Sequence, residues 1–417
     1  MVSSTVISWL LTSLLIQGCS SAAISPCSAR DRPYSAWMAD SVIARGQAIA
    51  PPGETESSIF LQIGFFQTAI LRLLDHPGTA APSCQIDRWE QYLTNSTASI
   101  ASRLGNATQD THFPLDRLST FRGLLHSYEK TNNTVDKKAL DALRRSIDLQ
   151  PTNKFGGLWY FTYPNWSYLD GMYSLIPFSW LYATRFNPTS TSAVIDESIH
   201  QLDLLWQHCH QNSTGLLVHG YDGSQTAVWA SSFTGASPIA WDRSLAWYFM
   251  TLVDMLELLS LQSPGAAEER YAGYLQGRFA ALAKAVLAVA DADSGCWWQV
   301  MTAPREEGNY IESSGSAMFT YALLKGARLG FLDLEDPAAS EIVESASKCY
   351  RHLVTEFVAE EGDGTLGYNG TVSVCSLNSS ATYEYYVNQP LLYNSVHGSA
   401  AFVLASLEHE MLANPGE

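Results

Sequence analysis

Basic residues are scarce in this chain, and so is charge of any kind. Across 417 residues Lys+Arg number 24 against 41 Asp+Glu, a formal net charge of -17, and only 16% of residues are charged. Phosphate recognition rests on clustered Lys and Arg that release counterions. No such cluster is present, so a nucleic-acid partner is not expected. The G-x-S-x-G elbow, the P-loop, a G-x-G-x-x-G after a strand and H-E-x-x-H are also missing, which removes support for triad hydrolases, nucleotide enzymes and zincins. The seven cysteines include no C-x-x-C pair, so a structural zinc site is not expected. Beyond the N-terminal region no apolar run reaches membrane length, and no membrane partner is expected.

Apolar and aromatic residues are plentiful. Hydrophobic residues make up 46% of the chain, enough for a sizeable core, and aromatics 12%, with Trp 12 and Tyr 20. Aromatic rings stack on the C–H faces of sugars and keep a polar edge for hydrogen bonds, although an aromatic-rich core accounts for them equally well.

Residues Val6 to Ile16 form a short apolar run, followed by Ser21-Ala22-Ala23. Small side chains two apart fit a signal-peptidase site, so residues 1–23 read as a signal peptide and 24–417 as a single domain of a secreted, extracellular protein. Seven N-x-S/T sequons, at Asn95, Asn106, Asn132, Asn165, Asn212, Asn369 and Asn378, agree with a secreted glycoprotein. Without Cys19, an even set remains: Cys27, Cys84, Cys209, Cys296, Cys349 and Cys375. That set is compatible with disulfides of unreadable connectivity.

Helical periodicity dominates the remainder. Ile59, Ile63, Phe66, Ile70 and Leu73 recur at spacings of three and four, as do Leu245, Phe249, Leu252 and Met255, then Tyr271, Leu275, Phe279, Leu282 and Val286. Each set lies on one helical face. Between helix pairs a glycine-aromatic element returns, at Gly157-Leu158-Trp159-Tyr160, Gly215 to His219, Gly295-Cys296-Trp297-Trp298 and Gly364 to Tyr368. Helical hairpins that bury one face must stack or close on themselves. The expectation is an all-α (α/α)6 barrel of about six hairpins with these loops rimming one mouth, an open solenoid being the alternative.

Acidic residues in polar-aromatic segments are the candidates for chemistry. In Trp166-Ser167-Tyr168-Leu169-Asp170-Gly171-Met172-Tyr173, aromatic neighbours can desolvate Asp170 and raise its pKa toward that of a general acid. Taken singly, an Asp at such a position reads first as a helix cap. Asp116, after Pro114, reads as a first-turn acid. In His219-Gly220-Tyr221-Asp222 the glycine allows close approach to a ligand, and a plain Asp turn is the alternative. Trp241 and Trp247 bracket Arg243, whose fork could hold a carboxylate between stacking walls; a helix N-terminus with core tryptophans fits the same residues. Glu312 to Met318 places small polar residues at a helix entrance, and His397-Gly398 reads as a packed loop histidine.

Taken in order, Leu169-Asp170-Gly171-Met172-Tyr173, His219-Gly220-Tyr221-Asp222 and Trp241-x-Arg243-x-x-x-Trp247 resemble glycoside hydrolase family 105, the unsaturated rhamnogalacturonyl hydrolases, which are related to the family 88 unsaturated glucuronyl hydrolases. The resemblance spans roughly residues 60 to 410 and implies the (α/α)6 fold. It implies that Asp170 protonates C4 of a 4,5-unsaturated uronic acid while water adds at C5, with Asp116 as the second carboxylate. His219, Tyr221, Asp222, Trp241, Arg243, Trp247 and Trp159 would bind the sugar. No metal or cofactor is needed. The implied partner is an oligosaccharide ending in an unsaturated uronic acid, acted on by a monomer; a glucuronyl hydrolase and a non-catalytic sugar-binding toroid are the alternatives. The chain departs from the family pattern at Trp159-Tyr160-Phe161, where relatives carry a His-Lys pair after the Trp. It departs again at Asp242, where relatives often have Gly, which sets an extra acid beside an anionic substrate.

Overall fold

A computed structural model describes residues 32–53, 56–76, 83–262, 264–332 and 337–413. The signal-peptide expectation, with Cys19 and Cys27, lies outside the described residues. Among the described residues, twelve long helices follow one another in alternating roles. The outer ones are α1 (Tyr34–Ala44), α3 (Ser83–Ala101), α5 (Thr134–Asp148), α7 (Thr191–Cys209), α9 (Ala266–Ala288) and α11 (Pro337–Phe357). The inner ones are α2 (Ile59–Asp75), α4 (Phe121–Thr131, entered through a 3-10 turn at Leu115–Thr120), α6 (Gly171–Phe186), α8 (Asp242–Ser260), α10 (Ser313–Arg328) and α12 (Val396–Ala413).

The inner helices touch in sequence, α2 to the α4 entry turn, then α6, α8, α10 and α12, and α12 packs back on α2. The ring is therefore closed, and the architecture is the (α/α)6 barrel. Closure depends on α1, the first outer helix, lying against α12, the last inner one.

Burial follows the periodicity. Ile63, Phe66, Ile70 and Leu73 of α2 are buried, as are Tyr271, Leu275, Phe279, Leu282 and Val286 on outer helix α9. An outer helix hides one stripe, whereas α8 buries nearly its whole length because neighbours press on it from both sides. One continuous apolar core results.

Each glycine-aromatic element is the turn from an outer to the next inner helix. After α9, Gly295 donates its N–H to Asp291 O (2.7 Å), and Asp291 N–H is returned to Cys296 O (2.8 Å). Gly295 sits at φ +75, and a Cβ there would meet Ser345 O at 2.7 Å, so the turn admits only glycine. The same bond pattern recurs at Gln211/Gly215, Glu361/Gly364 and Asn153/Gly156. In the first of these loops the left-handed residue is Gly156, one position ahead of the glycine that marks the element in the sequence.

Three small antiparallel ladders decorate this mouth: β1 (Trp166–Tyr168) with β2 (Gly220–Asp222), β3 (Val358–Glu360) with β4 (Leu366–Tyr368), and β5 (Thr371–Val372) with β6 (Leu391–Leu392). A second apolar cluster, including Tyr168, Trp229, Trp241, Val372, Cys375, Leu377 and Tyr386, binds these loops together. Cys296 and Cys349 form a disulfide that ties the α9–α10 loop to α11. Cys84, Cys209 and Cys375 are free thiols, so the even set does not pair throughout as the count suggested.

At the opposite end, charged side chains from the C-terminal halves of the inner helices interlock. Lys325 Nζ lies 2.6 Å from Asp254 and 2.8 Å from Glu257, Arg72 contacts Glu257 at 3.0 Å, and Arg328 reaches Glu408 at 2.7 Å. Cations near helix C-termini are also favoured by the backbone dipoles. No described helix is long and apolar enough to cross a membrane.

Candidate active site

The N-terminal ends of the inner helices converge on one cavity. Its lining takes Leu61 of α2 with Ser57 and Ser58 just ahead of it, Asp116 of the α4 entry turn with Pro114 before it, Asp170 immediately before α6, Arg243 and Trp247 of α8 with Trp241 before it, and His397 of α12. Tyr160, Phe161 and Tyr163, with the segment Val374-Cys375-Ser376, complete the walls. Because the positive ends of the backbone dipoles face inward here, the site favours an anionic ligand in an otherwise acidic protein.

The β1–β2 ladder positions the chemistry. Tyr168 pairs with Gly220, and Leu169 N–H continues the ladder to His219 O (3.1 Å). Asp170 and His219 therefore emerge side by side, with His219 Nε2 3.4 Å from Asp170 Oδ2. His219 Nδ1 shares a 2.7 Å hydrogen bond with the Tyr386 hydroxyl, while its Nε2 has no hydrogen-bond partner. Ser244 Oγ, on the first turn of α8, donates to Asp170 Oδ2 (2.5 Å).

Asp116 is buried; its Oδ2 accepts from the Tyr160 hydroxyl at 2.6 Å, and its Oδ1 is unpartnered. Burial pushes this carboxyl up to about 7; the Tyr160 hydroxyl opposes the shift and the charge of Asp170 reinforces it. The elevation expected from aromatic desolvation thus falls on Asp116, the acid that the sequence presented as a first-turn residue. Asp116 therefore retains a proton near neutrality beside Asp170.

Trp241 and Trp247 are buried wall residues. Trp241 donates its indole N–H to Gln299 (3.0 Å), and Trp247 packs on Phe65 and Tyr173. Arg243 lines the cavity, but its fork is committed elsewhere: it donates to Val372 O (2.7 Å), Ser373 O (2.7 Å) and Ser314 Oγ (3.1 Å). A bidentate clamp on a ligand carboxylate is therefore replaced by a tether that fixes the 374–376 wall, with the positive charge left beside the cavity.

Asp242 does not line the cavity. It is buried behind Arg243, where burial and the neighbouring Glu312 hold its carboxyl well above the usual range. Glu312 accepts from Gly315 N–H (2.6 Å) and Val372 N–H (2.9 Å). A side chain at Gly315 would strike Asp242 Oδ2 at 2.2 Å. The extra acid is thus accommodated by a small-residue helix entrance, outside the cavity lining.

Three expected sugar-binding residues lie outside the lining. Tyr221 stacks on His208 (4.2 Å) and receives a hydrogen bond from Asn153 (3.0 Å). Asp222 accepts from Ser224, Thr226 and Ala227 N–H, each at 2.8 Å. Burial would raise its carboxyl, but these donors outweigh it and hold Asp222 below its ordinary value, as a turn cap. Trp159 is half-buried and passes its place to Tyr160 and Phe161, the next residues in the same loop. Tyr160, Ser244 and Tyr386 join the site as well, and the aromatic run Trp159-Tyr160-Phe161 is the one sequence signal for any of them; His397, expected as a packed loop histidine, stands on the second residue of α12 and lines the cavity.

Comparison with known proteins agrees with this geometry. The model of the family described as Glycosyl Hydrolase Family 88 matches residues 80–413. "Protein Atu3128" of Agrobacterium fabrum and the "24.9 kDa protein in picA locus" of Rhizobium radiobacter are each 34% identical over 206 residues, 48% of this chain and 84% of theirs. A solved family 105 glycoside hydrolase from C. acetobutylicum has a TM-score of 0.77 at 29% identity, covering 91% of this chain and 100% of that one. The unsaturated glucuronyl hydrolase of Bacillus sp. GL1, responsible for the degradation of glycosaminoglycan, shares the fold with a TM-score of 0.64 at 14% identity over 90% of this chain and 95% of its own. The family match takes in every cavity residue except those of α2, and the chain belongs to Glycosyl Hydrolase Family 88.

Proposed function

We propose that the protein is a secreted hydrolase that removes the 4,5-unsaturated galacturonyl residue from the non-reducing end of rhamnogalacturonan lyase products. The observation that carries this reading is the placement of Asp116 and Asp170 in the walls of one cavity, with Asp116 pushed up to about 7 by burial and by the charge of Asp170. Asp116 thereby holds a proton where an enol ether needs one. In this scheme the proton held by the pair passes through Asp170 to C4 of the ring. Water, oriented by Asp116, forms the new bond to C5, and its surplus proton returns to the pair. The product is a C5 hemiketal. Its ring C–O bond opens to a C5 ketone, leaving a hemiacetal at C1 that releases the neighbouring sugar. Because cleavage follows hydration, the carboxylate separations that distinguish retaining from inverting glycosidases do not apply.

Secretion is supported by the disulfide Cys296–Cys349 and by the sequon asparagines, six of which are exposed and the seventh, Asn165, half-buried. The decisive experiment incubates the recombinant protein with lyase-generated unsaturated disaccharides and follows the double-bond absorbance. Loss of the chromophore with the galacturonyl-rhamnose substrate is expected. Preference for glucuronyl substrates would move the protein to that specificity, and a panel left intact would reject the hydrolase reading.

A further inference from the structure

Four polar side-chain atoms in the cavity walls are buried without a hydrogen-bond partner: Asp116 Oδ1, the Tyr168 hydroxyl, His219 Nε2 and His397 Nε2. The first three belong to one group. Asp116 is coupled to Asp170, Asp170 lies 3.4 Å from His219, and Tyr168 packs edge-on against His219 (5.0 Å). His397 stands apart from them, on the second residue of α12. It is 4% exposed, its ring is set edge-on to Trp247 at 6.3 Å, and the charge that acts on it is that of Arg243.

The cavity is therefore polarised. Asp116 and Asp170 place carboxyl groups on one side, whereas Arg243, whose guanidinium lies 3.8 Å from Glu312 behind the wall, and the N-terminus of α12 place positive charge on another. An anionic ring entering this space places its negative group away from the carboxyl pair. Arg243 supplies charge there, but its guanidinium hydrogens already serve the 372–373 backbone and Ser314. The open polar atom on that side is His397 Nε2. Burial, reinforced by Arg243, pushes the imidazole down to about 3. It is thus neutral in working conditions and carries one N–H donor.

We propose that His397 is a substrate-binding residue whose neutral imidazole donates a hydrogen bond from Nε2 to the carboxylate of the bound uronate ring, beside the charge of Arg243. This deepens the functional reading above and rests on a uronate occupying the cavity. The carboxylate would then be recognised by a fixed charge and a separate neutral donor, and not by a bidentate guanidinium.

Calorimetric titration of the full chain with sodium D-galacturonate and sodium D-glucuronate, and with the neutral methyl galactoside as control, tests it. For His397→Phe the dissociation constant for uronate should rise at least about tenfold with neutral-sugar binding unchanged, while His397→Gln, which keeps a donor, should stay within about threefold of wild type. KM for an unsaturated disaccharide should rise in parallel, with kcat falling less. Unchanged uronate affinity in His397→Phe overturns the proposal, as does equal weakening of uronate and neutral sugar or the absence of uronate binding by the wild-type protein. Failure of the functional reading looks different: the wild-type chain binds uronate through His397 yet leaves every unsaturated disaccharide intact.

Discussion

At the mouth of the barrel, Asp116 is buried with one oxygen unpartnered and its carboxyl is pushed up to about 7 by burial, reinforced by Asp170. At the far end, burial would raise Glu257 too, yet Lys325 and Arg72 override it and hold that carboxyl at about 2. The same side-chain chemistry thus has opposite thermodynamic signs at the two ends of one helix ring. A group shifted away from its charged form destabilises the fold at neutral pH, whereas a group held in its charged form stabilises it. The mouth holds an acid in its protonated form, as the proposed chemistry requires, and the far end ties α2, α8, α10 and α12 together with matched charges.

The largest expected effect comes from removing the proton route at the mouth. Asp170→Asn should lower kcat by about a thousandfold or more, roughly 4 kcal/mol of transition-state stabilisation, while leaving the unfolding midpoint nearly unchanged. A steady-state assay beside a urea titration checks both. If activity survives, the mouth is not where the chemistry lies, and the contrast between the two ends loses its functional meaning.

Lys325→Met is the counterpart. It leaves Asp254 and Glu257 without the cation at 2.6 and 2.8 Å; Arg72 still faces Glu257 at 3.0 Å and Arg122 faces Asp254 at 4.0 Å, so the loss should be about 3 kcal/mol, the low end for breaking a buried pair. Urea unfolding should show that loss, with kcat/KM within about threefold among the molecules that remain folded. An unchanged midpoint would mean that the far-end network is ornamental.

Much of this contrast was legible in the sequence at one end only. The period of three and four exposed the helices, and the glycine-aromatic turns exposed the mouth. Asp116, Asp170, His219, Trp241, Arg243 and Trp247 stand in short local motifs and converge in the cavity. Tyr160, Ser244 and His397 belong to the same site by long-range convergence, Ser244 reaching Asp170 across 74 positions, and no local pattern announces that. Arg72, Asp254, Lys325 and Glu408 interrupt apolar faces singly, so each reads as a polar accident until ring closure brings them together. Tyr221 and Asp222 illustrate the reverse case. Their motif placed them beside His219 in sequence, but strand pairing with Trp166 and Ser167 draws them into the ladder and away from the cavity.

The pH dependence sharpens the comparison with smaller numbers. Asp116, raised to about 7, binds its proton more tightly in the folded state, so its destabilising effect begins above its unfolded pKa and grows until about pH 7. Glu257, held at about 2, contributes stability that is present above its unfolded pKa and is lost as pH falls toward 2. Unfolding free energy should therefore peak at about pH 4–5. Asp116→Asn should flatten the neutral side and add on the order of 2 kcal/mol at pH 7, although activity falls; Glu257→Gln should flatten the acid side. For the wild-type enzyme, kcat/KM should decline as pH rises through about 7, where Asp116 loses its proton. A profile flat to alkaline pH would detach the raised carboxyl from catalysis.

The smallest effect is expected at Asp222, which belongs to neither end. Its carboxylate is ionised and buried, as in the far-end network, yet it stands in the mouth loops and is satisfied by hydroxyl and backbone N–H donors with no cation. Asp222→Asn keeps one acceptor for Ser224 and turns an amide toward the Thr226 and Ala227 N–H groups, so stability should fall by about 1 kcal/mol. Because Asp222 does not line the cavity, kcat/KM should change less than about threefold. A large loss of kcat with the unfolding midpoint preserved would place Asp222 in the chemistry after all. A loss of stability alone assigns it to holding the β1–β2 ladder, and through that ladder the register that sets Asp170 beside His219.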